Sequence, residues 1–435
     1  MSKQNKPRNP DHVRRTNRPS PDNEVIQERV KSLLTPSVFG QLAHYRQLGL
    51  RGRLLSLPVM VAAVLMMLWR QVPSVCELTK LIGREDLFWT PKVKVSQQAL
   101  SKRLLLFPSE LFQCVLMDLL PTLRARWAAR QRPLPDSIVC ARRTFSRIFA
   151  VDGSTLEALF RKLDALKDAP PGVLAGKICT VIDLSARLPE QLWFTPDAQA
   201  HDATFLDRIL AFAQAGTLWI FDRGFYDFTF FDNLIEKGVH WITRLKSNAV
   251  FTVEQVLLQT TEVRDRLILL GGVTPCRHAV RLIEVRFGRT WYCYVTSVLD
   301  PALLPASVVA DLYRRRWRIE EAFLIVKRLL NLSYLWTGSV NGVLLQVWST
   351  WLFFAVLVDL GDAVAEELML PFDRISLEMV FRSLYYFIQA YNKGEATDPI
   401  KYLAAPENQD LGVVKRLRKK PDHVSTNALL SSVGA

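Results

Sequence analysis

The stretch SRIFAVDGST, residues 146–155, is a short apolar run that ends at an acid, Asp152, followed at once by a glycine. A run of this length with an acid and a glycine after it is typical of a buried strand whose end opens into a turn. The stretch TLWIFDRGF, residues 217–225, repeats the pattern and brings Asp222 to the end of a second apolar run. The two stretches predict a sheet that carries carboxylates at the ends of its strands.

Strand-like and helix-like segments follow one another around these stretches. After the Asp152 strand, GKICTVIDLS and EQLWFTPD read as two more strands, and HDATFLDRILAFAQ reads as a helix that Asp202 caps. A second helix, FTFFDNLIEKG, and a strand, VHWITRLKS, follow the Asp222 strand, and Gly238 caps that helix. Three strands, a helix and then alternating strands and helices predict an α/β sheet that begins antiparallel and continues parallel. In this ribonuclease-H-like order the first and fourth strands are neighbours, so we expect Asp152 and Asp222 to converge.

The composition indicates a folded protein with an anionic partner. The chain has 435 residues, 49% of them hydrophobic, and a formal net charge of +14. Such an excess favours nucleic acid first and an anionic membrane second. The six cysteines are scattered without a C-x-x-C pair, which predicts reduced thiols in a cytosolic protein rather than disulfides or a zinc site. The N-terminus is polar and basic, which predicts that no signal peptide is present.

Two apolar runs, residues 54–69 and 343–360, test the membrane alternative. A spanning helix needs roughly 20 mostly apolar residues. The first run is short and contains Pro58, and polar residues interrupt the second. We therefore expect both runs to be buried core helices.

The segment DLYRRRWRIEEAFLIVKRLLNL, residues 311–332, is predicted to form a single helix, and it contains both charged and apolar residues. At about 100° per residue, one arc of roughly 60° contains a polar stripe with a single acid: Tyr313, Arg316, Glu320 and Lys327. The other positions are mostly apolar and available for packing. The stripe is expected to face an anionic, metal-bound group. The alternative is a set of ordinary helix-surface ion pairs, worth only a few tenths of a kcal/mol each.

Three acids far apart in sequence are what phosphodiester chemistry requires. Such chemistry uses metal ions, usually two about 3.5–4 Å apart, that hold the attacking and leaving oxygens. Mg²⁺ is bound by a few carboxylates together with water and phosphate oxygens. Asp152, Asp222 and Glu320 are the candidates for these ligands.

The spacing Tyr313-x₂-Arg316-x₃-Glu320-x₆-Lys327 resembles the Y-R-E-K signature of bacterial insertion-sequence transposases of the IS-four type, which have a DDE active site. VDGSTLEAL is similar to that family's first aspartate motif, and FDRGFYD to its second. The resemblance covers residues from about 145 to 360. It implies that Asp152, Asp222 and Glu320 bind two Mg²⁺ or Mn²⁺ ions, that water cuts the transposon end, and that the freed 3′-OH attacks target DNA.

The resemblance also implies DNA contacts. Tyr313, Arg316 and Lys327 would hold phosphates near the cut, a role that suits guanidinium and ammonium donors. Arg223, beside the second acid, is a further phosphate-binding candidate, with a carboxylate pair as the alternative. Some relatives cut the second strand through a hairpin with a flipped base stacked on an aromatic residue, and Trp291 or Tyr292 matches that position. Packing within a strand is the alternative for this pair.

The predicted domains follow from changes in composition and in the pattern of apolar residues along the chain. An α/β ribonuclease-H-like catalytic domain with a β-rich insertion is preceded by an all-α N-terminal domain and followed by C-terminal helices. The predicted ranges are a disordered basic N-terminus at 1–22, a helical DNA-binding domain at 23–140, the catalytic domain at 141–362 with its insertion at about 250–298, a helical region at 363–405 and a basic, disordered tail at 406–435. Within the N-terminal domain, helix, link and helix suggest a helix-turn-helix module. Its recognition helix would be capped by Ser96 and would present Gln97, Gln98, Ser101, Lys102 and Arg103.

We expect double-stranded DNA as the partner, both the terminal inverted repeats and the target, with a homodimer in the paired-end complex and no membrane. The expected location is the bacterial cytoplasm, with association to the nucleoid when DNA is bound. A ribonuclease-H-like nuclease without strand transfer is one alternative. A non-enzymatic DNA-binding protein derived from a transposase is another, which loss of any of the three acids would have favoured.

Overall fold

The computed structural model describes residues 22–50, 53–156, 176–330 and 339–414. The predictions of a disordered N-terminus and of a basic tail fall largely outside these residues. The tail was predicted from residue 406, but Pro406–Leu411 form a 3₁₀ helix and Val413 bridges to Ile375. The described fold therefore extends to residue 414.

One mixed sheet of nine strands organises the described part of the chain. The strands are β1 (Ile148–Thr155), β2 (Lys177–Asp183), β3 (Pro189–Thr195), β4 (Leu218–Phe221), β5 (His240–Arg244), β6 (Phe251–Gln259), β7 (Val263–Leu270), β8 (Val280–Phe287) and β9 (Thr290–Thr296). Their spatial order is β3-β2-β1-β4-β5-β9-β8-β7-β6.

Strand direction follows the sequence prediction. β1 and β2 pair antiparallel, as do β2 and β3, whereas β1 and β4 pair parallel, as do β4 and β5. The predicted adjacency of the first and fourth strands is confirmed. The β-rich insertion forms β6 to β9 and continues the same sheet, because β9 pairs antiparallel with the free edge of β5.

Fourteen α-helices accompany this sheet within the described residues. They are α1 (Glu24–Gly40), α2 (Leu42–Gln47), α3 (Leu57–Trp69), α4 (Val75–Ile82), α5 (Gln97–Leu106), α6 (Glu110–Ala129), α7 (Asp136–Arg142), α8 (Leu206–Phe212), α9 (Phe228–Glu236), α10 (Ala306–Arg315), α11 (Trp317–Leu324), α12 (Val340–Glu367), α13 (Leu377–Asn392) and α14 (Pro399–Ala404). Ser96 caps α5 by accepting from Ala99 N, as predicted. Gly238 follows α9 with φ of 71°, a left-handed conformation that glycine adopts without strain.

The helices of the N-terminal and C-terminal parts share one apolar core. Residues of α1, α3 and α6 belong to the same buried cluster as residues of α12 and α13. α12 is mostly apolar and buried along most of its length, and its buried acids Asp359 and Asp362 are paired with arginines. It is long and apolar enough to cross a membrane, but 94% of its most apolar window is buried inside the protein. Both apolar runs of the sequence are therefore core helices, as predicted.

The polar segment predicted as one helix is divided into three pieces. α10 ends at Arg315, α11 begins at Trp317, and a π-helical turn follows at Ile325–Leu329. At the first junction Arg316 N bonds to Tyr313 O, three residues back, and at the second Leu330 N bonds to Ile325 O, five residues back. A tightened turn and then a widened turn replace the regular periodicity that the sequence reading assumed.

The helix predicted from residue 201 also starts differently. His201 is the N-cap, and its ring nitrogen accepts from Ala203 N. Asp202 lies inside a 3₁₀ helix, Asp202–Phe205, that leads into α8. The prediction that Asp202 caps this helix was wrong, since its carboxylate is directed elsewhere.

Candidate active site

The first two acids stand where two neighbouring strands separate. β1 and β4 are paired as far as Val151 and Phe221. The next residue after each strand's last paired position is an acid, Asp152 after Val151 and Asp222 after Phe221. Asp152 is still in β1, where Gly153 N donates to its Oδ1 at 2.9 Å. Asp222 begins a 3₁₀ turn, Arg223–Phe225. Both carboxylates thus emerge at the same edge of the sheet, as the sequence predicted.

The third acid reaches this edge from α11. Glu320 lies four residues after Arg316, and the Arg316 guanidinium contacts all three carboxylates. Its Nη1 is 2.9 Å from Asp152 Oδ2, and its Nη2 is 3.0 Å from Glu320 Oε1 and 3.7 Å from Asp222 Oδ1. Three acids from distant parts of the sequence therefore converge on one cation.

Burial makes this cation dependent on its partners. Arg316 is only 6% exposed. Desolvation disfavours its charged form, but the carboxylates led by Asp152 and Asp222 outweigh that effect and raise the pKa of Arg316. A buried guanidinium without such partners would cost several kcal/mol. The acids and the arginine therefore hold one another in place.

The Asp152 carboxyl has a perturbed pKa. Burial raises its pKa to about 6, against the opposing effect of Arg316 and with the added repulsion of Asp222. The side chains of Asp222 and Glu320 are 41% and 37% exposed. The site is thus closed on the β1 side and open to solvent on the side of the other two acids.

Tyr313 and Lys327 complete the polar stripe at the two ends of the site. The Tyr313 hydroxyl donates to Asp222 Oδ1 at 3.3 Å, and burial raises the pKa of this phenol to about 12, so it remains a neutral donor. Lys327 Nζ donates to Ser154 Oγ and to Thr155 O, the latter at 3.0 Å, at the end of β1. Burial lowers the pKa of Lys327. The stripe is preserved although its helix is divided, since the three pieces follow one another around the site.

The aromatic candidates on β9 face opposite sides of the sheet. Tyr292 packs against the cluster that contains Tyr313 and is edge-on to Phe287. Trp291 alternates to the other face, where the Arg264 guanidinium lies 4.4 Å from its ring. Only Tyr292 is on the face that carries the acids.

Two exposed side chains border the acids. Arg223 directly follows Asp222 and is exposed to solvent. Trp317, which sequence reasoning did not single out, is 59% exposed at the start of α11 and lies 6.0 Å from the Arg316 guanidinium. A large aromatic next to the polar stripe was the signal that could have drawn attention to it.

The predicted recognition helix is α5, far along the chain from these acids. Gln97, Gln98 and Lys102 are exposed, and Ser101 is half-buried. Arg103 instead donates to Leu55 O at 3.2 Å and to the Tyr45 hydroxyl at 2.9 Å. Its guanidinium therefore ties α5 to the helical core. The link from α4 to α5, residues 83–96, is much longer than the three or four residues of a helix-turn-helix turn.

The donor set of the site suits a hard divalent cation, because carboxylate oxygens are the ligands that Mg²⁺ and Mn²⁺ prefer. The guanidinium of Arg316 separates the carboxylates. Within the described ranges, no three acidic, histidine or cysteine side chains are close enough to hold a metal ion as they stand. The chemistry of the three acids fits a metal, and a metal ion held by all three would require Arg316 to move from between them.

All six cysteines are free thiols, which agrees with the prediction of reduced cysteines.

The sequence of this chain is similar to those of known transposases. Residues 143–351 match the family model described as the transposase DDE domain. A Sinorhizobium fredii protein named as a transposase, y4zB, is 26% identical over 256 residues, which are 52% of this chain and 70% of that protein. A Geobacillus stearothermophilus protein, named as a transposase for the insertion sequence element IS5377, is 23% identical over 166 residues, or 37% of this chain and 44% of that protein. The match thus spans less than half of the second relative.

Proposed function

We propose that this chain, whose residues 143–351 match the model of a transposase DDE domain and which resembles insertion-sequence transposases, moves its own element by cut-and-paste transposition. It would bind the terminal inverted repeats of the element, cut the DNA there and join the freed 3′ ends to a target. The observation that carries the proposal is the convergence of Asp152, Asp222 and Glu320 on one point from three distant parts of the sequence. The antiparallel and then parallel strand order around β1 supports a ribonuclease-H-like layout of the domain.

DDE transposase domains use divalent metal ions, and we assign Asp152, Asp222 and Glu320 as the residues that hold them here. We expect two Mg²⁺ or Mn²⁺ ions. Such ions lower the pKa of the attacking water or 3′-OH and neutralise charge on the leaving oxygen. Three carboxylates against one guanidinium leave the excess negative charge that a divalent cation requires.

The chain's own residues bind and orient DNA around this centre. Arg316 turns its two Nη groups from the carboxylates to a backbone phosphate, whose two non-bridging oxygens match the planar fork of the guanidinium. Lys327, fixed at the end of β1, and the exposed Arg223 supply further phosphate contacts. Tyr313 holds the Asp222 carboxylate by its hydroxyl and so limits rotation of that ligand.

If the second strand is cut through a hairpin, we assign Tyr292 as the residue that stacks on the flipped base. It lies on the face of the sheet that carries the acids, whereas Trp291 lies on the other face. Stacking of a base on an aromatic ring is worth about 1–3 kcal/mol.

The proposed partners are double-stranded DNA and a second copy of the chain, because two transposon ends must be paired. The exposed Gln97, Gln98 and Lys102 of α5 are assigned to DNA recognition. The proposed location is the bacterial cytoplasm, on the nucleoid when DNA is bound.

The test is cleavage of a duplex that carries the element's own end, with Mg²⁺ or Mn²⁺, by wild type, Glu320→Ala and Glu321→Ala. Glu321 is the matched control, since it is the adjacent acid and does not face the site. Its carboxylate lies 2.7 Å from the Arg318 guanidinium. We expect Glu320→Ala to lose at least about 100-fold in cleavage rate with DNA binding retained, because a ligand of the metal is removed. Glu321→Ala should cut as wild type does.

The products separate the alternatives. Cleaved ends joined to target DNA support a transposase. Cleavage without joining would indicate a nuclease, and binding without cleavage by wild type would indicate a non-enzymatic DNA-binding protein. Equal cleavage by Glu320→Ala and wild type would contradict the assignment of Glu320.

A further inference from the structure

We propose that Asp202, held by Lys177, is a positioning residue that sets the separation of the two sheet acids, Asp152 and Asp222. The proposal rests on the proposed function, since it assigns a role in holding metal ligands. It concerns a residue that the sequence reading treated as an ordinary helix cap.

The carboxylate of Asp202 lies between the two segments that carry the acids. A methyl group on Gly153, the residue after Asp152, would lie 2.1 Å from Asp202 Oδ1. A methyl group on Gly224, two residues after Asp222, would lie 2.4 Å from Asp202 Oδ2. Oδ1 of Asp202 therefore lies against the segment of Gly153 and Oδ2 against the segment of Gly224, so the carboxylate spans the gap between the two segments.

This contact explains why both acids are followed by glycine. Neither Gly153 nor Gly224 has a positive φ, so the backbone conformation at these positions does not require glycine. What requires it is space, because a side chain at either position would overlap the Asp202 carboxylate. Two glycines and one aspartate, from three separate segments, form a single packing unit.

A largely buried ion pair prevents the carboxylate from turning away. Lys177 Nζ lies 2.7 Å from Asp202 Oδ1 and also donates to Ala200 O at 2.8 Å. Lys177 belongs to β2 and is paired with Thr155 of β1, so it is fixed relative to the strand that carries Asp152. The 3₁₀ helix of Asp202 is therefore anchored to the Asp152 strand while it touches the Asp222 turn.

The pairing of β1 with β4 does not hold the two acids together at this point. The β1–β4 ladder ends at Val151 and Phe221, one residue before each acid. Past that pair, the Asp202 carboxylate connects the two segments. Since an error of about 1 Å in a catalytic group can cost 100-fold in rate, a residue that fixes this separation has a direct effect on metal binding.

The test measures binding of Mn²⁺ to the purified full-length protein without DNA. The protein is titrated with Mn²⁺, and the electron paramagnetic resonance signal of the unbound ion gives its free concentration. Asp202→Ala is compared with Asp207→Ala, an exposed aspartate in α8 a few residues further on. Loss of a group that supports metal ligands typically costs 10–100-fold in metal affinity. We expect Asp202→Ala to raise the half-saturating Mn²⁺ concentration about tenfold and Asp207→Ala to match wild type, both measured at a temperature at which the melting curve in EDTA shows each variant to be folded. Asp202→Asn, which keeps the shape of the side chain, should bind Mn²⁺ more tightly than Asp202→Ala and serves if the alanine variant does not fold.

A double variant tests the contact itself. Gly224→Ala alone should weaken Mn²⁺ binding, because its methyl group displaces the Asp202 carboxylate. Gly224→Ala combined with Asp202→Ala should bind no more weakly than Asp202→Ala alone, since the overlap is gone. Losses that multiply, or Mn²⁺ binding by Asp202→Ala equal to that of wild type, would overturn the inference. A wild-type protein that binds no Mn²⁺ and cuts no DNA would instead overturn the proposed function.

Discussion

Two clusters of acids and arginines lie in this protein, and their charge balance differs. Between α6 and α12, Asp359 and Asp362 are buried and bind three arginines, with Glu366 at the rim; the arginines are Arg126, Arg130 and Arg132. At the end of β1, three carboxylates share Arg316. The first cluster is balanced, whereas the second has two more negative than positive charges. Balance suits a structural cluster, and the unmatched negative charge at the end of β1 supports the divalent cation proposed for that site.

The largest expected effect comes from breaking the balanced cluster. Arg130→Ala leaves the buried Asp359 and Asp362 with fewer partners, because Arg130 binds them at 2.7 and 2.8 Å. We expect a loss of about 3–5 kcal/mol in the free energy of unfolding. Denaturant unfolding measures it, and the difference from wild type should be the same with and without Mn²⁺, because both proteins retain Asp152, Asp222 and Glu320. A variant as stable as wild type would show that the cluster contributes nothing.

The same experiment at the acid-rich site should give a different result. Arg316→Ala removes the cation that faces three carboxylates, and we expect a loss of about 2 kcal/mol in EDTA. Mn²⁺ at 100 times its Kd should return about 2.7 kcal/mol, since a bound cation stabilises the folded state by mass action. The measurement is the melting temperature with and without Mn²⁺. If Mn²⁺ leaves the stability difference from wild type unchanged for Arg316→Ala, as it should for Arg130→Ala, the distinction between the clusters is wrong.

The smallest expected effect is the pH dependence of Asp152. Its pKa is raised to about 6 in the folded protein, from the ordinary value of 3.8 that it has in the unfolded chain. The folded state therefore binds the proton more tightly, so this group stabilises the fold at low pH and the stabilisation is lost as the pH rises through about 6. In EDTA, wild type should gain about 1 kcal/mol relative to Asp152→Asn between pH 8 and pH 5.

Unfolding curves at the two pH values measure this difference, with the exposed Asp207→Asn as the control. A stability difference between wild type and Asp152→Asn that does not change with pH would show that burial does not perturb this carboxyl.

Much of the sheet could be predicted from the sequence, for a local reason. Short apolar runs bounded by polar residues mark buried strands, and their order predicted the pairing of β1 with β4 and so the approach of Asp152 to Asp222. Glu320 could be selected because a helical stripe with one acid is visible in the spacing alone. These signals depend on neighbours in the chain.

What could not be predicted depends on which groups meet in space. The sequence gives no sign that Arg316 binds the three acids or that Arg103 binds Tyr45, because ion-pair and hydrogen-bond partners are chosen by the tertiary fold. The π-helical turn at Ile325–Leu329 also escapes a reading that assumes a regular helix. The role of Asp202 left a trace, the glycine that follows each sheet acid, but only the contact distances connect the two glycines to one side chain.

The shared core of the helical body has a consequence for synthesis on the ribosome. α6 packs against α12, and Arg130 binds Asp362, which lies 232 residues later in the chain. The N-terminal helices are made first and pack on one another, but the faces of α3, α5 and α6 that contact α12 are uncovered until α12 has left the exit tunnel. At about 5–20 residues per second, that interval is on the order of ten seconds or more, during which the nascent helices expose surface that chaperones bind. A product that stops before α12 is expected to remain unfolded, so only a chain translated through α12 can assemble the helical body.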